Sequence, residues 1–147
     1  MTSSELQSLY QEIILDHQKH PHGFGLVEGA AASSHQLNPT CGDEITLEVH
    51  AVDGVVRELR WEGHGCSISQ ASASLLHDLS AGVAVSDLSE RIEEFRTVMR
   101  SRGTLEPDEE LFGDAIALGG VSRYVARVKC AMLAWVAAED AISRVGR

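Results

Sequence analysis

The sequence is short of positive charge, of paired cysteines and of long apolar runs, and each shortage narrows what the chain can do. Twelve Lys and Arg stand against 22 Asp and Glu, a formal net charge of −10. Nucleic-acid affinity rests on Lys and Arg neutralising phosphates, so this balance argues against nucleic acid and against anionic membrane surfaces as partners. No stretch of about 18 apolar residues occurs, so no transmembrane span is expected. The opening "MTSSELQSLYQEI" has neither the basic flank nor the apolar centre of a secretory signal, and a cytoplasmic location is the expectation. Three cysteines with no Cys-x-x-Cys pair make neither a disulfide framework nor a zinc ribbon. No repeat, low-complexity tract or Pro/Gly/Ser linker divides the chain, so residues 1–147 are expected to form one domain. A chain of this length buries about 68–70% of its unfolded surface and needs no staples.

What is present reads as strands followed by helices. Thr2-x-x-Glu5 has the form of a capping box, and Leu6, Leu9, Tyr10, Ile13 and Ile14 follow as the stripe of an amphipathic helix that ends at "HQKHPHGFG". "SSHQLN" is a short strand. From Glu44 to Val52 apolar and polar residues alternate strictly, with Ile45, Leu47, Val49 and Ala51 on one face. Asp53-Gly54 is a hairpin turn signal, and "VVRELRWEG" returns with Val55, Leu59 and Trp61 facing inward. After "GHGCS" the period becomes helical: Ile68, Ala71, Leu75, Leu76 and Leu79 form one stripe, closed by Gly82. Ser86 is placed to cap a helix carrying Leu88, Ile92, Phe95 and Met99. "SRGTLEPDEELFG" interrupts, "GDAIALGGV" is a short apolar piece, and a long helix runs from about Val125 to Val145. The fold class is therefore α+β, about three antiparallel strands with helices packed on one face.

The three cysteines fall at element ends. Cys41 enters the first strong strand, Cys66 follows the second, and Cys130 lies near the start of the last helix. Hairpin strands run opposite ways, so Cys41 and Cys66 belong at the same end of the sheet. Glycines beside both, in Cys41-Gly42-Asp43 and Gly63-His64-Gly65-Cys66, permit the close backbone approach that turns neighbouring side chains toward one point. Thiolate and carboxylate are zinc ligands, and Cys41, Asp43, Cys66 and Cys130 would make a tetrahedral four. Buried inert thiols are the alternative. His64 competes as a ligand, although a solvated loop imidazole suits it better. His17, His20, His22 and His35 suit helix-surface or loop roles.

Four blocks, "LYQEIILDHQKHPHGFG", "NPTCGDEI", "GHGCSISQASASLL" and "RYVARVKCAMLAW", taken together and in this order, resemble the IscU/NifU-N-type iron–sulfur cluster assembly family. Within it the chain is most similar to the SufU branch. Lys129 stands where IscU-type scaffolds have a histidine before the third cysteine, and the Cys66–Cys130 stretch is longer, including "RSRGTLEPDEELFGD". "GGVSRYVARVK" replaces the scaffolds' Leu-Pro-Pro-Val-Lys-type motif, and Val125 stands where many relatives have proline.

The resemblance implies the IscU-like (SufE/NifU-type) fold and a zinc-dependent sulfurtransferase. A SufS-type, pyridoxal-phosphate cysteine desulfurase would supply sulfur, and SUF scaffold components would receive it. Carried over by residue, Cys41 is the persulfide acceptor, Asp43, Cys66 and Cys130 hold zinc with Cys41 completing the shell at rest, and Arg127 matches an arginine associated with function. A scaffold on which an iron–sulfur cluster is built with the same residues is the other implied role, with iron in place of zinc. A purely structural zinc is the third possibility.

Overall fold

The structure is a computed structural model that describes residues 3–145. Thr2, and with it the expected capping box, lies outside them. Helix α1 (Ser3–Lys19) leads into a three-stranded antiparallel sheet of β1 (Ala32–Asn38), β2 (Asp43–Val52) and β3 (Val55–His64), in that order across the sheet. Then follow α2 (Ser67–Ser80), α3 (Val85–Arg100), the short α4 (Glu109–Phe112), a run of 3-10 turns over Gly113–Arg123, and α5 (Val125–Ile142). The architecture is the expected α+β arrangement.

Alternation in β2 works as the sequence demands: Ile45, Leu47 and Val49 point into the core, and the residues between them do not. On β3 the inward set is Val56, Leu59 and Trp61, whereas the even alternation of the sequence assigned Val55. The cause is a register shift. His50 pairs with Glu58 but Ala51 pairs with Val56, so Arg57 is an extra residue on β3. A bulge of this kind moves every following side chain to the opposite face.

Helices α5 and α2 cover the apolar face of the sheet. The stripe of α3 is buried as expected at Leu88, Ile92, Phe95 and Met99, but the helix begins at Val85 with Ala84 as its N-cap, so Ser86 is inside the first turn. Phe95 of α3 stacks on Trp135 of α5 at 3.8 Å, and Phe112 of α4 tilts against both. The stripe of α1 is only partly used: Ile13 and Ile14 pack on the core, while Leu6 and Leu9 remain exposed.

One polar contact sets the spacing of the two helices that lead to the cysteines. Ser72, fully buried on α2, donates its hydroxyl to the Ala131 carbonyl at 2.6 Å and accepts the indole N–H of Trp135 at 2.8 Å. A hydroxyl here removes the cost of an unpaired buried indole N–H, and its small volume lets α2 and α5 approach. At the far side of α5, Arg96 of α3 grips Glu139 through two hydrogen bonds of 2.8 and 2.9 Å.

Ser72→Ala leaves the Trp135 N–H without its acceptor, and we expect a loss of about 1–3 kcal/mol in denaturant titration. Glu139 tests the second contact by pH. Its hydrogen bond with Arg96 holds the carboxyl below its ordinary value of 4.5. A carboxylate with a depressed folded pKa contributes stability above the unfolded value, and that contribution is lost as pH falls through the folded value. The pair is partly solvated, so Glu139→Gln should cost about 0.5–1 kcal/mol at neutral pH. The two proteins should converge in stability as the pH drops well below 4.5.

Candidate metal centre

The hairpin delivers two cysteines to one place. Glu44 pairs with His64, so the start of β2 lies beside the end of β3. Cys41 and Cys66 flank these ends, and α5 brings Cys130 to the same end of the sheet. All three cysteines are free. The Sγ atoms of Cys41 and Cys130 and a carboxylate oxygen of Asp43 lie within 4.8 Å of one another, and the two sulfurs are 3.5 Å apart.

Two glycines make this convergence sterically possible. Gly42 adopts a left-handed φ of 72° and donates its N–H to the Asn38 carbonyl at 2.8 Å, which folds the loop back between Cys41 and Asp43. Only glycine takes that conformation without strain. Gly65 serves through what it lacks: a Cβ there would sit 2.5 Å from both Asp43 Oδ1 and Ser69 Oγ. The space a side chain would fill belongs to the carboxylate.

Asp43 is 1% exposed. Its Oδ1 accepts the backbone N–H of Cys66 at 3.0 Å, and its Oδ2 lies 3.9 Å from Cys66 Sγ. Cys66 is the N-cap of α2, so the carboxylate rests where the helix dipole favours an anion. Cys66 stands just outside the mutual group of three, and its sulfur also lies 3.8 Å from Ser69 Oγ. The structure brings Cys41, Asp43 and Cys130, three of the four residues grouped from the sequence, together, with Cys66 beside Asp43; the sequence reading did not single out Ser69, whose hydroxyl donates to the Cys66 carbonyl and fixes the first turn of α2.

The surroundings of Cys130 oppose its ionisation. Burial first, and then the neighbouring Asp43, Cys41 and Cys66, push the Cys130 thiol far above its ordinary value. Thiolates and a buried carboxylate cannot share so small a volume without positive charge, and a bound divalent ion inverts that balance. The spacing fits such an ion. Zn–S bonds of about 2.3 Å in a tetrahedron separate two sulfurs by about 3.8 Å and a sulfur and an oxygen by about 3.6 Å. Nearby, the buried Asn38, opposite Asp43 in the sheet register, has a side-chain N–H₂ without an acceptor. An anionic sulfur shell is the type of acceptor that group lacks. The donor set therefore fits a borderline-soft divalent ion such as zinc.

The remaining candidates separate cleanly. His64 is largely solvated, with Nε2 3.4 Å from Glu44 Oε1, in keeping with a loop imidazole. Arg127 is exposed on α5 one turn before Cys130, and its guanidinium has no recorded hydrogen bond or ion pair among the described residues. His35 is exposed and 3.1 Å from Glu44. His17 corrects the sequence reading: it is not on the helix surface but only 5% exposed, the one fully buried position of α1 among those described. Its Nδ1 is 2.6 Å from Ser74 Oγ, and burial, followed by the charge of His22, lowers its pKa and keeps the ring neutral.

The NifU-like N-terminal domain family matches residues 9–131. An iron–sulfur cluster assembly scaffold protein IscU of Streptococcus pyogenes is 36% identical over 145 residues, spanning 98% of this chain and 89% of that one. The zinc-dependent sulfurtransferase SufU of Bacillus subtilis is 35% identical over 143 residues, covering 97% and 95% of the two chains. A crystal structure from Fervidobacterium islandicum, described as an iron–sulfur cluster assembly scaffold protein for the SUF system, superimposes with a TM-score of 0.79 at 31% identity, over 89% of this chain and 94% of the other. By family match, full-length relatives and fold alike, the chain belongs to the NifU-like N-terminal domain family of iron–sulfur cluster assembly proteins.

Proposed function

We propose that the protein is a sulfur carrier of the SUF system, one that accepts sulfur on Cys41 from a SufS-type cysteine desulfurase in the cytoplasm and passes it to SUF scaffold components. The observation that carries this reading is an asymmetry of access. Cys41 is exposed at a loop, while Asp43 and Cys130 beside it are buried. A purely structural site gains nothing from leaving one donor open to a partner. Zinc held by Cys41, Asp43, Cys66 and Cys130 would keep the thiols as thiolates and neutralise the buried carboxylate.

The chemistry asked of the chain is thiol–disulfide-type exchange. The Cys41 thiolate attacks the outer sulfur of the donor's cysteine persulfide. A bond forms between Cys41 Sγ and that sulfur, the donor's S–S bond breaks, and the donor leaves as a thiolate. Cys41 then carries the persulfide, with no net oxidation, and the same exchange in reverse hands the sulfur on. The exposed apolar Leu37, Tyr124 and Val125 lie on the segments that lead to Cys41 and Cys130, and offer a partner purchase beside the site. Arg127 supports the reaction as a positive charge one turn from Cys130, on the same side of α5.

A second reading has support in the names of relatives. The Streptococcus protein, and one from Thermotoga maritima that is 36% identical, are named scaffolds. Three cysteines and a carboxylate also suit iron. On that reading the cluster is cargo assembled on the same residues.

The mass of the native protein, before and after incubation with a cysteine desulfurase and cysteine, decides between them. One zinc and one added sulfur mapping to Cys41, with the sulfur lost in Cys41→Ser, is the expected result. Zinc without added sulfur rejects the carrier role, and iron with sulfide retained on a desalting column after anaerobic reconstitution replaces it with the scaffold. Gly65→Ala tests the site independently, since its Cβ displaces the Asp43 carboxylate. Zinc affinity by chelator competition should fall at least about tenfold, the scale seen when a metal's supporting groups are disturbed. Circular dichroism should stay unchanged.

A further inference from the structure

Away from the cysteines, a second group of donors converges where α1 ends against α2. His17, His22 and Asp78 each present one ligating atom, and these atoms lie within 4.8 Å of one another. His22 Nδ1 is 2.8 Å from both oxygens of Asp78, and His17 Nε2 is 4.0 Å from Asp78 Oδ2. We propose that His17, His22 and Asp78 form a second site for a divalent first-row transition-metal ion, separate from the cysteine centre.

The separation follows from helix geometry. Cys66 caps the start of α2, whereas Asp78 lies near its end. The twelve steps from Cys66 to Asp78, at 1.5 Å each, place them about 18 Å apart along the axis. The two sites share no donor.

The surroundings are built in the way metal-ligating histidines are usually supported, with the second ring nitrogen held by a hydrogen-bonding group. Ser74 Oγ, fully buried, contacts His17 Nδ1 at 2.6 Å and accepts the backbone N–H of His22 at 2.8 Å. With Nδ1 engaged, Nε2 is the atom left to face Asp78, and it has no hydrogen-bond partner there at 4.0 Å. His22 is fixed at both backbone groups, because its carbonyl accepts the indole N–H of Trp61 at 2.9 Å. Asp78 lies one turn beyond Ser74 on the same face of α2. Metal–ligand bonds of about 2.0–2.2 Å separate two cis donors by about 2.9 Å in an octahedron and about 3.4 Å in a tetrahedron. The observed 2.8 and 4.0 Å bracket that range, so small side-chain shifts close the shell.

The donor set also names the class of ion. Two imidazoles and one carboxylate, without sulfur, suit zinc, cobalt or ferrous iron, not the soft ions that seek thiolate. Three protein donors leave positions open to water or an exchanging ligand. His22 and Asp78 are solvent-accessible, which gives the ion a path in.

Cobalt is the probe. The protein, preloaded with Zn²⁺ to occupy the cysteine centre proposed above, is titrated with Co²⁺ and followed by visible absorption and native mass. We expect one further equivalent, showing ligand-field bands without thiolate-to-cobalt charge transfer. Its affinity should fall at least tenfold in His22→Ala and in Asp78→Asn and stay unchanged in Cys41→Ser. Both test residues are accessible, so loss of fold is not expected, and circular dichroism checks it. No added equivalent, one with thiolate charge transfer, or one that persists in both variants overturns the proposal.

Discussion

The hydrogen bond from the Cys66 backbone to the Asp43 carboxylate is the contact on which the cysteine centre depends. It ties the first residue of β2 to the N-cap of α2 across 23 positions of sequence. It also fixes a carboxyl group that is 1% exposed to solvent, with a backbone donor on Oδ1 and the Cys66 thiol 3.9 Å from Oδ2. Burying an ionised carboxylate is costly unless hydrogen bonds or positive charge compensate it. The dipole of α2 supplies part of that charge, worth a fraction of the whole at a helix end. The local fold therefore gathers a carboxyl group and thiols into an arrangement that a bound cation would stabilise, and the rest of the architecture keeps it from relaxing.

That architecture works by limiting the freedom of three chain segments. Sheet register fixes where β2 begins and β3 ends. Ser72 fixes how closely α2 and α5 run, and with them Cys66 and Cys130. Aromatic stacking of Phe95 on Trp135 braces α5 from its other side. Only the Cys41 loop is left with an exposed donor, next to a glycine turn. Rigidity on three sides and access on the fourth is what a site needs if it is to hold an ion and still meet a partner.

Much of this was legible in the sequence because the signals were local. Strict alternation made β2 plain, and Asp53-Gly54 made the hairpin plain, so the placing of Cys41 and Cys66 at the same end of the sheet followed from geometry alone. The α3 stripe was equally direct. What escaped were features with no local signature. The extra residue at Arg57 leaves the apolar pattern "VV" ambiguous between Val55 and Val56, and only pairing resolves it. The buried serines of α2 read as polar gaps in a stripe, yet Ser72 and Ser74 are among its most buried residues because each meets a nitrogen from another element. His17 was misplaced for the same reason. An imidazole on a helix looks like surface until its partner, 57 residues away, is known.

Helix α2 then links the two ends of the molecule. Its first turn presents a backbone N–H to the Asp43 carboxyl group of the sulfur-rich cluster, and its last turns present Asp78 to two imidazoles. The serines between them at positions 69, 72 and 74 each bind a different segment: the Cys66 carbonyl, α5, and the α1–loop junction. Small hydroxyls suit this because each satisfies a buried polar group while adding little volume, so neighbouring elements pack close against the helix. A larger side chain at any of these serines would push apart groups whose separations are set by hydrogen bonds of about 3 Å. The geometry at the cysteine end and the packing along the helix thus depend on one short segment.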